Sequence, residues 1–584
     1  MNYKLKIDDN EKIGVFRTAF KRLVPLLAKE KKSLTIAFAA VLISSGATLY
    51  APILISNIID KYIQSKDIYG LIVFSVILLL LYVGNLFSQY IQMNIMGGVG
   101  RRILFNLRNI LFDKLQKLPV AFFDQNKAGD LISRINNDTD KLNQFFSQAL
   151  MQFVSNITII IGAGIFLLIL NTKLGISALI PVIGVLIVTQ TLSSWVRKAN
   201  LASLQALGTM SAELQESFNN FKVIVAFNRL DYFRNKFKEV NDNNYKASIK
   251  SNIANNIFLP IYTLAGNIAQ LIVLVFGIYL ISTQNLSIGL LVAFLIYVNN
   301  FYNPLRQLAS IWSSLQLALA GIDRISEILD LETNMPIISA EKINGKSVLE
   351  FRNVHFSYPD GTEVLNDINF SLERGKTYAL VGPTGGGKTT TASLMARLYD
   401  PTQGIVLLDG TDIRSYEPNE RTQKIGFILQ ESFLFSGTIM ENIIFGNKNY
   451  INSSKKDIIK DLKNLNLYEL LNHFEKGLDS KISSNGNTMS LGQKQIIAFI
   501  RAVLRKPEIL ILDEATANVD TITEQILEKI LEKLPPETTK IIIAHRLNTI
   551  ENADQIFFVN VGNITLAGSM KQAVDMLMHR KRES

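Results

Sequence analysis

Residues 382–390 read GPTGGGKTT, between the apolar run TYALV (377–381) and the helix-patterned TASLMARLYD (391–400). A short buried strand, a glycine-rich loop and a helix in that order aim backbone N–H groups and the positive end of a helix at one point. That arrangement suits a polyphosphate. Gly382, Gly385, Gly386 and Gly387 let the backbone turn tightly, with Pro383 and Thr384 between the first two. Lys388 can then reach the β- and γ-phosphates, and the Thr389 hydroxyl can ligate Mg²⁺, with Thr390 closing the loop.

Working outward, EILILDEA (508–515) is a hydrophobic strand ending in Asp513, placed to hold Mg²⁺ directly or through water. Glu514 follows and can orient or deprotonate an attacking water, because phosphoryl transfer depends on positioning and charge stabilisation. Taken alone, that pair is equally a strand end and a helix cap. His545 in IIIAHR is a lone histidine, a type more often structural. It also ends a buried strand of an α/β domain, where ligands bind and a γ-phosphate can be sensed. Gln430 ends the strand-like FILQ, and its amide can ligate Mg²⁺ or water. Tyr358 in FSYPDG can stack on adenine. Around these motifs VLEFRNVHF, TYALVGP, KIGFILQ, EILILDEA, KIIIAHR and QIFFVNV alternate with helical stretches, which indicates an α/β domain over 347–584.

The N-terminal half has another character. Over 584 residues, 48% are hydrophobic and 19% charged, with a mean hydropathy of +0.21. That is too apolar for an ordinary soluble enzyme and too charged for a chain wholly in the bilayer. Six apolar spans lie near 34–58, 70–94, 147–170, 174–195, 257–282 and 287–310, each close to the ~20 residues that cross a membrane. Pro52, Pro181 and Pro260 sit in or beside them, which membrane helices tolerate. The gaps after the second and fourth spans are long, basic and helical in pattern; those after the first, third and fifth are short. Basic loops stay cytoplasmic, so the N-terminus, both long connections and the α/β domain are expected inside a multi-pass plasma (inner) membrane. The net charge of +10 lies largely beside spans, at Lys21, Arg22, Lys29, Lys31, Lys32, Arg101, Arg102, Arg197 and Lys198, and calls for no nucleic-acid partner. There is no cysteine, so disulfides and thiolate sites are excluded. The basic, amphipathic stretch 12–30 reads as an interfacial helix. The expected organisation is an interfacial segment over 1–33, a six-helix transmembrane domain over 34–325, a linker over 326–346 and the P-loop ATPase domain over 347–584.

Together these residues resemble an ATP-binding cassette (ABC) half-transporter of the exporter type (type IV), like the lipid and multidrug exporters, over about 12–570. The resemblance implies ATP and Mg²⁺ as cofactors, an adenine-stacking Tyr358, a Walker A loop at 382–390 and a Q-loop Gln430. It further implies a signature at 489–493, Walker B Asp513 with catalytic Glu514, a D-loop at 517–520 ending in Asp520, and switch His545. FFDQNKAGDLISRINNDTD (122–140) and ELQESFNNFKVIVAF (213–227) resemble the family's two intracellular loops, so coupling helices are expected near 124–129 and 217–222. Two such chains build the transport path, with each ATP shared between the Walker A loop of one and the signature of the other.

The family signature is Leu-Ser-Gly-Gly-Gln; here it reads Met489, Ser490, Leu491, Gly492, Gln493. Leucine adds a side chain where backbone approaches the partner's γ-phosphate. Ser484 stands where an acidic residue is usual, and ANVD where SALD is commoner. These departures cluster in parts that serve the opposite site, while Lys388, Asp513, Glu514 and His545 are all present. The pattern resembles the catalytic-glutamate-bearing subunit of bacterial heterodimeric multidrug exporters. It implies a different half-transporter as partner, one with an intact signature and a substituted glutamate. The leading substrates are amphipathic or hydrophobic compounds, drugs first; the alternative is a homodimeric lipid or lipopeptide flippase. An intact Glu514 argues against a nucleotide-gated regulator that does not transport. Asn85, Asn156, Asn267, Gln270 and Asn299 either line the cavity or bond helix to helix.

Overall fold

The first apolar stretch fills most of its helix, and each of the other five forms one end of a longer one. The structure, a computed structural model, describes residues 3–5, 27–332, 335–343, 347–359, 361–430, 432–450, 453–483, 489–513, 521–543, 553–567, 571–572 and 575–576, less a few side chains. The interfacial helix expected over 12–30 falls outside the described residues up to position 26. The chain divides into a membrane unit, Lys6–Gln116 with Gly129–Asp330, and a second unit made of Met1–Leu5, Lys117–Ala128 and Leu331–Ser584.

In the membrane unit the helices are α1 (Lys31–Asn57) and α2 (Ile68–Gln116). Beyond α3, a short helix of the second unit (Val120–Gln125), come α4 (Ala128–Leu170) and α5 (Thr172–Asn219). The last are α6 (Phe221–Ala226), α7 (Leu230–Ser282) and α8 (Ile288–Asp330). Six of them are long and apolar enough to cross a membrane. The 49 residues of α2 span roughly 74 Å at about 1.5 Å each, against a hydrocarbon core of about 30 Å. That helix therefore continues far beyond the bilayer. Almost none of the most apolar part of α2 is buried, and Leu79, Leu80 and Phe87 are exposed on it. Such a surface is stable only under lipid or another subunit. The short gap after the third span is a helix cap: the Asn171 side chain accepts from the Leu174 N–H at 3.1 Å and starts α5.

Buried polar groups tie these helices together. Tyr297 donates to the Leu49 carbonyl at 2.5 Å, and Tyr302 to that of Ala178 at 2.9 Å; each buried phenol satisfies its donor on another helix. Asp60 accepts from Ser287 at 2.5 Å and from the Gly289 N–H at 2.7 Å, a carboxylate at the positive end of α8. At the other end of α8, buried Arg134 pairs with Asp130 at 2.9 Å and Glu327 at 2.8 Å, and Arg324 with buried Asp138 at 3.1 Å.

The second unit is α/β. Its strands are β1 (Ser347–Ser357), β2 (Glu363–Glu373), β3 (Thr377–Val381), β4 (Gln403–Leu408), β5 (Thr411–Asp412) and β6 (Ile425–Ile428). They continue as β7 (Gly437–Thr438), β8 (Lys481–Ile482), β9 (Ile509–Asp513), β10 (Thr539–Ile543), β11 (Gln555–Asn560) and β12 (Asn563–Ala567). The main sheet has the order β12-β11-β3-β10-β9-β6, parallel from β11 to β6. A parallel sheet is covered on both faces, which is why β3 and β9 are nearly unbroken apolar runs. An antiparallel sheet, β2-β1-β4-β5, is not hydrogen-bonded to it but shares a hydrophobic core with it, and β7 pairs with β8.

Two short helices depart from their expected positions. The one expected near 124–129 is α3 at Val120–Gln125, because extended Pro119 starts it and extended Asn126 ends it. The one expected near 217–222 is α6 at Phe221–Ala226, because α5 runs unbroken to Asn219 and Asn220 forms the break. Residues 3–5 lie along α3: Tyr3 N–H donates to Gln125 at 2.9 Å, and Leu5 N–H to Asn126 at 3.0 Å.

Candidate nucleotide site

The site lies at the C-terminal edge of the parallel sheet. From β3 the chain enters the glycine loop and leaves it as α9 (Lys388–Met395). Gly382 has φ +151°, and a Cβ there would lie 1.9 Å from the Val559 carbonyl of β11. Gly387, at φ +109°, caps α9, and a Cβ would meet Leu365 at 2.8 Å. Any side chain at either position would break the loop's path.

Lys388 folds back over this loop, its ammonium donating to the Gly382 and Pro383 carbonyls at 2.9 and 3.0 Å. At 5% exposure its charge is held against the loop, and its ammonium can give a donor to a phosphate oxygen. The first turn of α9 sets Thr389 beside the end of β9, and its hydroxyl lies 3.3 Å from Asp513 Oδ1. Asp513 is 4% exposed. An alcohol and a buried carboxylate side by side are hard oxygen donors, and they fit Mg²⁺, which takes one or two carboxylates and completes its shell with water and phosphate.

Thr390 turns the other way, its hydroxyl 3.0 Å from that of Tyr358. The Tyr358 ring stands edge-on to Phe356 and Tyr399, with centroids 5.0 and 5.6 Å away. Tyr399 in turn donates to Asp124 of α3. Burial, reinforced by that carboxylate, pushes the Tyr399 phenol well above its usual pKa. The ring beside the glycine loop is thus linked through one aromatic neighbour to α3. Sequence reasoning missed Tyr399; its partner is 275 residues away, and its only signal was the resemblance of 122–140 to an intracellular loop.

The remaining expected site residues lie on other segments of the chain. β6 ends at Ile428, so Gln430 does not end the strand; it lies two residues beyond, in an exposed bend. Leu491 is the first residue of α10 (Leu491–Leu504), and Ser490 caps it. Ser490 Oγ accepts from the Gln493 N–H at 3.2 Å, and Gln493 Oε1 from the Ser490 N–H at 3.0 Å. Gln493 also donates to the His473 carbonyl at 3.2 Å. The Leu491 side chain is 38% exposed, outside the domain core. Gly492 packs against Thr523, where a Cβ would meet Oγ1 at 3.0 Å. Among the described residues no hydrogen bond joins Ser490 or Gln493 to the glycine loop. Glu514, Asp520, His545 and the D-loop 517–520 lie outside the described residues.

Comparison with known proteins places both halves. Residues 34–305 match the family described as ABC transporter transmembrane region, and residues 365–517 that described as ABC transporter. The fatty acid ABC transporter ATP-binding/permease protein of Mycobacterium bovis (strain ATCC BAA-935 / AF2122/97) is 32% identical over 84% of this chain and 77% of its own length. A putative multidrug export ATP-binding/permease protein of Bacillus subtilis (strain 168) is 31% identical over 95% and 97%. The ATP-dependent lipid A-core flippase of Pasteurella multocida (strain Pm70) is 32% identical over 94% of each.

Proposed function

This chain belongs to the ABC transporter family, as an exporter half that couples ATP hydrolysis to transport, and from that premise we propose that it forms one half of a heterodimer with two unequal ATP sites. The proposed cargo is amphipathic or hydrophobic compounds, drugs first, moved out of the cytoplasm or inner leaflet of a bacterial plasma membrane, with the N-terminus and the nucleotide-binding unit cytoplasmic. The observation that carries the catalytic half of this reading is the pairing of Thr389 with Asp513 beneath the loop that holds Lys388. In it Thr389, Asp513 and Gln430 hold Mg²⁺ on ATP, and Lys388 binds its phosphates. Tyr358 stacks on adenine, Glu514 activates water, and His545 senses the γ-phosphate.

The asymmetry rests on Leu491. It opens α10 with an exposed isobutyl group, beside the Ser490 and Gln493 that would meet a partner's ATP. This chain's Walker motifs then work with an intact signature on the partner, and its own MSLGQ completes a site that turns over slowly. Glu514→Gln tests this: most ATP turnover of the complex should vanish, and substantial residual hydrolysis would place the chemistry elsewhere. A homodimeric lipid or lipopeptide flippase is the second reading, favoured by the flippase and fatty acid transporters among the relatives.

A further inference from the structure

We propose that the membrane unit carries a site for an uncharged, hydroxyl-rich head group on an apolar body, a glycoside-bearing amphiphile, centred on Asn156. The inference rests on the export reading above and names its substrate class. A cavity of about 400 Å³ opens between α1, α2, α4 and α8. Eight of its fourteen lining residues are Asn or Gln, three more carry hydroxyls, and none is charged or aromatic. Amides cluster on three of the four helices, among them Gln89 and Gln92 on α2, Gln152 and Asn156 on α4, and Asn300 and Asn303 on α8.

Part of this polarity is glue between helices. Ser44 donates to Asn85 at 2.6 Å, Gln270 to Asn299 at 2.8 Å and Asn300 to the Thr48 carbonyl at 3.4 Å, while Gln89 bonds Asn85 within α2 at 3.2 Å. Asn156 is different. It is 5% exposed, it lines the cavity, and its buried amide nitrogen has no hydrogen-bond partner. An unmatched buried donor is costly, more so at membrane depth, unless something arrives to accept from it.

The lining also says what arrives. Among the described lining residues a lipophilic cation would find no carboxylate and no aromatic face, and a fatty acid carboxylate no cation. Each amide both donates and accepts. So many such groups in so little space match the adjacent hydroxyls of a sugar, each also donor and acceptor. A peptide backbone, with one N–H and one C=O per residue, matches them less well.

The test uses the transporter purified in its own assembly and reconstituted in phosphatidylcholine vesicles. ATP turnover relative to basal is measured with glucosyl-diacylglycerol, a short-chain alkyl glucoside, tetraphenylphosphonium and oleate, and binding of radiolabelled glucosyl-diacylglycerol without ATP. The glucosyl compounds should stimulate and the labelled lipid should bind. Asn156→Leu should raise the half-stimulating concentration and weaken binding at least tenfold, and Asn156→Gln should stay within threefold of wild type. Gln152→Leu, at an exposed lining position, should weaken both even if Asn156→Leu does not fold. Stimulation by the alkyl glucoside alone assigns the site to free amphiphiles, and by the diacyl lipid alone to membrane glycolipid; either supports it. Stimulation by tetraphenylphosphonium or oleate only, without glucosyl-lipid binding, overturns the site and leaves the export reading standing. Binding of the glucosyl lipid without any turnover that Glu514→Gln removes overturns the export reading and keeps the site.

Discussion

Thr389 and Asp513 are 124 positions apart in the chain and 3.3 Å apart in space, so each is only as useful as the fold that joins them. Asp513→Asn keeps the shape and removes the charge that Mg²⁺ requires; turnover should fall at least about a hundredfold, since the metal carries much of the charge stabilisation. A steady-state ATPase assay over a Mg²⁺ titration would show it, and near-normal turnover would remove Asp513 from the metal site. Gly387→Ala tests the loop itself. A Cβ at φ +109° facing Leu365 should cost about 1–3 kcal/mol, read as weaker ATP binding. Leu491→Gly should leave the main hydrolytic site largely working, because the residue serves the opposite nucleotide. A collapse of turnover in that variant would show that the signature has been misassigned.

At the scale of elements, four charged groups close a ring where strands and turns meet. Arg374 pairs with Asp409 and Glu508, and Lys424 pairs with the same two carboxylates, all at 2.7 Å. The ring ties the β2–β3 turn, the β4–β5 turn, the helix before β6 and the start of β9. Burial alone would raise the Glu508 pKa, but the hydrogen bonds and charges of Lys424 and Arg374 outweigh it and hold the carboxyl below its usual value. A lowered carboxyl pKa stabilises the fold above the unfolded value of about 4.3 and ceases to as pH falls through the folded one. Lys424 is raised, against burial, by Asp409 and Glu508, so its share is present below about 10.4 and is lost as pH rises through its folded value. Glu508→Gln should therefore lower the melting temperature of the purified protein by a few degrees at pH 7, and the difference should shrink below about pH 4. A second element-level link is the Tyr399–Asp124 bond between the strand-side aromatics and α3. If it passes nucleotide state to α3, which the chain joins directly to α2 and α4, Tyr399→Phe should reduce substrate-stimulated turnover more than basal turnover. Equal loss of both would make the bond structural.

For the whole molecule, the decisive quantity is what covers the long exposed apolar faces of the membrane unit and the exposed start of α10. Native mass spectrometry after gentle extraction from the host membrane should give one copy of this chain with one copy of a different half-transporter. That partner should carry an intact Leu-Ser-Gly-Gly-Gln and a substituted glutamate. Two copies of this chain would mean that both sites work through Leu491, and the flippase-like homodimer would become the better account.

The sequence alone determined the six spans, the phosphate loop and the strand that bears Asp513, because each is a local pattern: an apolar run of membrane length, or a strand–glycine–lysine–helix order set by backbone chemistry. It also supplied Glu514, His545 and Asp520, which rest on the motif alone. It did not reveal that Tyr399 meets Asp124, that Arg374 and Lys424 share Asp409 and Glu508, or that Asn156 is an unmatched donor in a chamber of amides. It also misplaced α3 and α6 by about four residues, since helix ends depend on caps and on how far the preceding helix runs. Those features pair side chains from distant parts of the chain. Whether an amide bonds a neighbouring helix or faces a cavity is set by how the helices pack, and no spacing along the sequence encodes it.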